Sequence, residues 1–171
     1  MKKIFLVLAA MLCVATVSAQ GFKKAVDTVA SQKWSVGLRA TYGVQVVSEC
    51  FYAGDKYVEG RLGVYGGACA DFTVLHNWNV ANWNWTPKVG KWYLDAGCGA
   101  SIGGAAHLVT AGVAGDVKFG IKFNKVPIRL SVDYTPQIRI YGLYPAKHYW
   151  HPVGFYTPGF YNFALSATWC F

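Results

Sequence analysis

The stretch "YNFALSATWCF", from Tyr161 to Phe171, alternates between large apolar residues and small or polar ones. One face carries Tyr161, Phe163, Leu165, Ala167, Trp169 and Phe171, and the other carries Asn162, Ala164, Ser166, Thr168 and Cys170. A repeat of two residues is the period of a β-strand, whereas a helix repeats every 3.6 residues. The stretch therefore predicts a strand with one apolar face and one polar face.

The same alternation recurs along the chain from Trp34 onward. It predicts eight strands, at 34–43, 45–53, 57–66, 69–79, 92–102, 109–123, 127–139 and 160–171. The sequences "AGDK" (53–56) and "NKVP" (124–127) supply turns between them. If the reversals near 43–45 and 66–69 are absent, strands merge and the count falls to six. The pattern thus predicts an all-β, up-and-down antiparallel barrel with eight strands, or six as the alternative.

The first 19 residues, "MKKIFLVLAAMLCVATVSA", have the features of a cleaved export signal. Lys2 and Lys3 precede an apolar run, and Val17-Ser18-Ala19 is a small-residue cleavage site. The apolar run is shorter than the roughly 17–25 residues of a spanning helix. We expect a signal peptide at 1–19, an N-terminal leader at 20–33 and the barrel at 34–171.

The size of the barrel interior indicates which face of the strands points inward. Eight strands enclose a space just wide enough for side chains. The apolar face carries aromatics too large for that space, among them Trp34, Phe72 and Trp169, while the polar face carries glycines such as Gly37 and Gly99. We therefore expect the apolar face to meet lipid and the charged face to fill the lumen. The predicted lumen charge network consists of Arg39, Glu49, Glu59, Arg61, Asp71, Asp95, Asp116, Lys118, Lys122, Arg129 and Asp133.

Four parts of the chain carry a resemblance to a known family: the signal "MKKIFLVLAAMLCVATVSA", the stretches "WSVGLRATYG" and "KFNKVPIRLSVDYTP", and the ending "FALSATWCF". In these parts the chain resembles small bacterial outer-membrane β-barrels of the OmpA/OmpX-like eight-stranded type. The similar proteins have no periplasmic domain. The resemblance implies a porin-like cell-envelope protein in the outer membrane of Gram-negative bacteria, crossing it by transmembrane β-strands. It also implies that the barrel-assembly machinery reads an assembly signal formed by Phe163, Leu165, Trp169 and Phe171.

We expect a structural or interaction role in the cell envelope, with a closed lumen. Ion pairs such as Asp133 with Arg129 and Asp116 with Lys118 would close it. A narrow channel for small solutes or ions is the alternative. Outer-membrane lipids are the expected partners, and no nucleic acid is expected, because an exported protein rarely meets any. No cofactor and no metal are expected.

Two aromatic segments are candidate binding sites. In "HNWNVANWNWTPKVGKW" (76–92), Trp78, Trp83, Trp85 and Trp92 are predicted interface aromatics at a periplasmic turn. The alternative is a sugar site that combines these tryptophans with Asn77, Asn79 and Asn84. The segment 142–159 is predicted as an extracellular loop that contains His148, Trp150 and His151, and Trp150 with the loop's tyrosines and prolines could bind a partner. The alternative is a metal shared by His148 and His151, but two histidines with no nearby carboxylate or Cys make a poor site.

Neither catalysis nor disulfide bonding has a specific signal. Ser101 and His107 lie six residues apart across a predicted loop, and this spacing does not by itself indicate a nucleophile and a base. We therefore expect no enzymatic activity. The pairing of Cys50, Cys69, Cys98 and Cys170 is left open by the sequence.

Overall fold

A computed structural model of the protein describes residues 33–53, 55–65, 69–105, 108–143, 154–156 and 161–171. The predicted signal peptide and nearly all of the predicted leader lie outside these ranges. Within them, no helix is long and apolar enough to cross a membrane.

The described residues form an antiparallel sheet that closes on itself. Its strands are β1 (Trp34–Ala40), β2 (Val44–Phe51), β3 (Lys56–Tyr65), β4 (Cys69–Thr86), β5 (Gly90–Ala105), β6 (Leu108–Phe123), β7 (Ile128–Tyr134), β8 (Gln137–Leu143), β9 (Gly154–Tyr156) and β10 (Phe163–Cys170). Each strand from β1 to β6 pairs with the next, and β10 closes the ring against β1. On the other side, β6 pairs with both β7 and β8, β8 pairs with β9, and β7 pairs with β10.

The prediction of an eight-stranded antiparallel barrel is confirmed. β7 and β8 are one barrel strand interrupted at Thr135 and Pro136, and β9 and β10 together form the last one. The chain reverses between Ala40 and Val44, and again between Tyr65 and Cys69. These two reversals exclude the six-stranded alternative.

Three predicted boundaries were wrong. The turn expected between 79 and 92 is reduced to Pro87–Val89, because β4 and β5 continue pairing as a long hairpin. The seventh barrel strand, predicted to end at 139, runs to Leu143. The segment 142–159, predicted as a loop throughout, contains the strand β9. In each case backbone pairing continues past the last clearly alternating residue, because the ladder satisfies donors and acceptors whatever the side chains are.

The barrel buries polar residues and exposes apolar ones. Among the described residues, 22 buried side chains are polar or charged and seven are apolar. Arg39 and Arg61 are 1 % exposed, while Leu165 is 64 % and Val132 is 51 % exposed. Globular domains in water have the opposite arrangement.

Two ends of the barrel are distinguished below. The turn end holds the short connections at 52–55, 87–89 and 124–127, and the loop end holds the connections between β1 and β2, β3 and β4, β5 and β6, and β8 and β9. Segments at the turn end contact one another: the backbone N–H of Asn124 donates to the carbonyl of Val89 at 3.1 Å, and the backbone N–H of Asn79 on β4 donates to the carbonyl of Asp55 at 2.7 Å.

Candidate functional site

The centre of the barrel interior holds a continuous network of ion pairs. Arg61 is its most highly connected cation. Its Nε donates to Glu59 Oε1 at 2.6 Å, and its Nη2 donates to both carboxylate oxygens of Asp116 at 2.8 Å. Two strands separate Asp116 from Arg61 in the sheet, so this contact crosses the lumen. The amide of Asn77 also donates to Glu59, at 2.7 Å.

Lys118 and Arg129 extend the network towards the turn end. Lys118 pairs with Glu49 at 3.0 Å and with Glu59. Arg129 donates to Glu49 at 3.0 Å and to Asp95 at 2.8 Å. The guanidinium of Arg129 also lies 4.3 Å from the centre of the Tyr93 ring. Each of these cations thus joins two carboxylates carried by different strands.

Thr135 joins the other branch of the network at the break between β7 and β8. Its hydroxyl accepts from Arg39 at 3.0 Å and from Arg61 at 2.7 Å, and donates to Asp116 at 2.8 Å. Arg39 in turn pairs with Asp133 at 3.2 Å. Thr135 lies between β7 and β8, and Pro136, which follows it, has no N–H to donate to the ladder. The irregular backbone therefore places the hydroxyl that connects the two cations.

A separate ion pair lies nearer the loop end. Arg139 on β8 pairs with Asp71 on β4, and Thr73 donates to the same carboxylate at 3.0 Å. Arg139 reaches across two strands because Gly112 lies beneath it: a Cβ at Gly112 would stand 2.8 Å from Arg139 Cγ and 2.2 Å from the carbonyl oxygen of Ile138. Charges at this level are thus paired as they are in the centre.

The structure places the residues of the predicted lumen network inside the barrel. Ten of the eleven take part in ion pairs, and Lys122, which is half-buried, takes part in none among the described residues. The individual pairs expected from sequence were wrong. Asp133 pairs with Arg39 instead of Arg129, and Asp116 pairs with Arg61 instead of Lys118. Spacing along one strand does not decide the partner, because Arg61 pairs with Glu59 two residues away, whereas Asp133 and Asp116 pair with residues of other strands.

Sequence reasoning missed several members of the site. Tyr57 donates to Asp95 at 2.9 Å and is 1 % exposed, while Asn77, Thr135 and Arg139 bind network carboxylates. The alternation alone was sufficient to predict that the side chains of Tyr57 and Arg139 point inward. Tyr57 has the inward parity of Glu59, and Arg139 that of Arg129.

The predicted interface aromatics all lie on the outer side of the barrel. Trp83 faces Trp92 across the strands, and both rings contact Phe119 on β6. Trp85 stacks on Trp83 with a centroid distance of 5.2 Å. We call Trp83, Trp85, Trp92 and Phe119 the outer aromatic cluster. Trp78 lies apart from it, next to His76.

A β-bulge at Val80 explains how these tryptophans share one side. Trp78 and Trp83 differ by an odd number of residues and would face opposite ways on a regular strand. The register shifts between Asn79 and Ala81, which leaves Val80 without a partner and reverses the parity beyond it. The structure also contradicts the sugar site, because Asn77 is fully buried inside the barrel, on the side opposite the tryptophans.

The remaining predicted residues are placed as follows. Phe163, Leu165 and Phe171 are exposed on the outer wall and Trp169 is half-buried there. His148, Trp150 and His151 lie outside the described residues, as does His107. The Ser101 hydroxyl is buried without a hydrogen-bond partner in the described part of the protein.

Neither a disulfide nor a metal site is formed by the described residues. Cys50, Cys69, Cys98 and Cys170 are free thiols, and Cys170 is buried inside the barrel. In the ranges that the structure covers, no three His, Cys, Asp or Glu side chains converge as metal ligands.

The closed barrel, its charged interior and its apolar wall were compared with known proteins at three levels. No protein-family model, no curated protein sequence and no solved structure matches the chain.

Proposed function

We propose that the protein is an integral outer-membrane β-barrel with a structural or interaction role in the cell envelope and a closed lumen. The single observation that carries this proposal is the inverted burial of the barrel. Its outer wall exposes large apolar side chains on every strand whose side chains are described, and its interior holds the ion pairs. In water such a wall would be far larger than the few hundred Å² of contiguous apolar surface that monomers usually expose. In lipid it is the favourable surface.

The outer aromatic residues support a membrane orientation. Trp34 begins β1, the outward Leu38 follows on the same strand, and Tyr42 lies in the reversal just beyond it; all three are about half or more exposed. The six residue steps from Trp34 to Ala40 span about 20 Å along β1, or about 15 Å along the axis at the usual tilt, and Tyr42 lies beyond that end. Apolar bands of membrane barrels are about 25 Å tall and are bordered by aromatic girdles.

A second aromatic border lies at the loop end. The Tyr42 hydroxyl donates to the carbonyl of Tyr161 at 2.6 Å, and the rings of Tyr134 and Phe163 lie 4.8 Å apart. The outer aromatic cluster, with Trp34, occupies the turn end. Aromatic rings at both ends of an aliphatic wall suit the two interfaces of a bilayer.

The arrangement of the ion pairs favours a closed lumen over a narrow channel. Arg61 with Asp116, and Arg129 with Glu49, connect strands that are not neighbours in the sheet. Side chains linked in this way cross the space that a solute would need. The barrel therefore acts through its outer wall, its ends and its loops, with lipids as partners, the segment 142–159 as the surface for an extracellular partner, and the assembly machinery as the partner during insertion.

Membrane extraction tests the location. The protein should sediment with outer membranes, resist extraction by carbonate, and migrate differently on a gel before and after boiling. Recovery from the detergent-free fraction, with identical migration in both samples, would instead indicate a periplasmic barrel of the lipocalin kind.

Planar-bilayer recording of the purified barrel tests the closed lumen. We expect no steady conductance from the native protein. A steady, single-valued conductance would support the channel alternative. Lipopolysaccharide deacylation that is lost in Ser101→Ala would contradict a non-enzymatic role.

A further inference from the structure

Among the described residues, no carboxylate pairs with two lysines at the turn end of the interior. Lys91 on β5 lies directly opposite Lys122 on β6, and Lys122 lies opposite Arg129 on β7. Three cations therefore occupy one row across three neighbouring strands. Like charges placed opposite each other in a sheet are destabilising.

The register places this row on the inner face of the wall. On β5, the inward residues include Tyr93 and Asp95, which have the parity of Lys91. On β6, Lys118 is buried and has the parity of Lys122. Lipid headgroups outside the wall are therefore on the wrong side for this pair.

Nearby carboxylates are already occupied. Asp95 accepts from Tyr57 and Arg129 through one oxygen and from Asn79 through the other. Glu49 accepts from Lys118 and Arg129. Among the residues that the structure describes, neither Lys91 nor Lys122 has a carboxylate within ion-pair distance. Arg129 is neutralised by Glu49 and Asp95, but the two lysines are not.

We propose that Lys91 and Lys122 bind a divalent oxyanion of the phosphate class at the turn-end mouth of the barrel. Two ammonium groups on adjacent strands supply six N–H donors and two positive charges, which match a phosphate dianion. Lys91 is exposed and Lys122 is half-buried, so an anion can enter from solution and still lie partly shielded from water. The bound anion removes the repulsion within the pair.

Phosphate binding is measured with the folded protein in zwitterionic detergent micelles. Inorganic phosphate is titrated by calorimetry at constant ionic strength, with chloride as the reference anion. The native protein should bind phosphate saturably in the millimolar range, and Lys91→Gln with Lys122→Gln should weaken binding by about tenfold or more. A matched double variant, Lys56→Gln with Lys88→Gln, removes the same charge from exposed positions at the turn end and should leave the affinity unchanged.

Three results would overturn the proposal. The first is that the native protein shows no saturable phosphate binding. The second is that both double variants lose phosphate affinity equally. The third is that the purified protein retains phosphatidylglycerol and that only Lys91→Gln with Lys122→Gln loses it. The last result would mean that the pair binds a lipid headgroup. Folding is checked without phosphate: removing the paired lysines should raise the unfolding midpoint or leave it unchanged, and a lowered midpoint would contradict the repulsion on which the site depends.

Discussion

Replacing Arg61 by Met tests whether the interior is dry and closed. Arg61 is 1 % exposed and pairs with Glu59 and Asp116. Removing one partner of a buried ion pair costs about 3–5 kcal/mol. Both carboxylates keep other donors, from Lys118 and Asn77 for Glu59 and from Asn77 and Thr135 for Asp116, so we expect about 3 kcal/mol.

The assay is urea unfolding in lipid vesicles, followed by tryptophan fluorescence and by gel migration without boiling. Lys122→Met is the matched control, because it removes an inward cation that has no ion pair among the described residues, and it should cost less than about 0.5 kcal/mol. Adding Asp116→Leu to Arg61→Met should restore part of the lost stability, since the unpaired carboxylate is then gone.

A loss below about 1 kcal/mol for Arg61→Met would refute this reasoning. That value is typical of ion pairs in contact with water, so it would mean that the lumen is hydrated, as in a channel. Strict additivity of Arg61→Met and Asp116→Leu would also refute it, because residues joined in one network are expected to couple.

Three further predictions test the interior packing, the outer wall and the bulge. Gly112→Ala should cost about 1–3 kcal/mol in the same assay, because its Cβ would meet the carbonyl of Ile138. The control Gly60→Ala should cost under about 0.5 kcal/mol, since a Cβ at Gly60 has nothing within 4 Å. Equal costs for the two variants would contradict the close packing at Gly112. Leu165→Arg should lower stability in vesicles by about 2–4 kcal/mol, and an unchanged free energy of unfolding would argue against a lipid-facing wall. Deleting Val80 should leave the cluster tryptophans on the outer side, because Trp78 and Trp83 are then an even number of residues apart on a regular strand. Their quenching by lipids with brominated acyl chains should therefore be undiminished, and a strong loss of quenching would contradict the assignment of Val80 as the bulged residue.

The direction of most side chains could be predicted from sequence because it depends on the local pleat. Arg39 and Arg129 point inward for the same reason that Leu38 and Leu130 point outward: successive residues of a strand alternate sides. No knowledge of the neighbouring strands is required, so a single strand already carries this information.

Partners across the lumen could not be predicted in the same way. That Arg129 meets Glu49 and Asp95 depends on how far each strand is staggered against the next around the ring. Alternation within a strand is unaffected by that stagger. Pairs chosen from one strand, such as Asp116 with Lys118, were wrong for this reason.

Two other differences between the prediction and the structure correspond to features of the sequence that the alternation rule did not use. The change of parity between Trp78 and Trp83 was visible in the sequence and indicated a bulge, which the structure places at Val80. Aromatic residues were treated as one class too large for the lumen, yet Tyr57 and Tyr93 lie inside. Their phenol rings fit there because they lie against the Arg129 guanidinium, and Tyr57 also binds a carboxylate.

The hydroxyl of Thr135 has a consequence for anyone who wishes to turn this barrel into a pore. Through it, Arg39, Arg61 and Asp116 are tied together, so that shortening any one of them removes a partner from a shared set of hydrogen bonds. Widening the passage one position at a time would pass through a series of destabilised variants. A redesign of the lumen should replace all of the linked charged residues together with small neutral side chains.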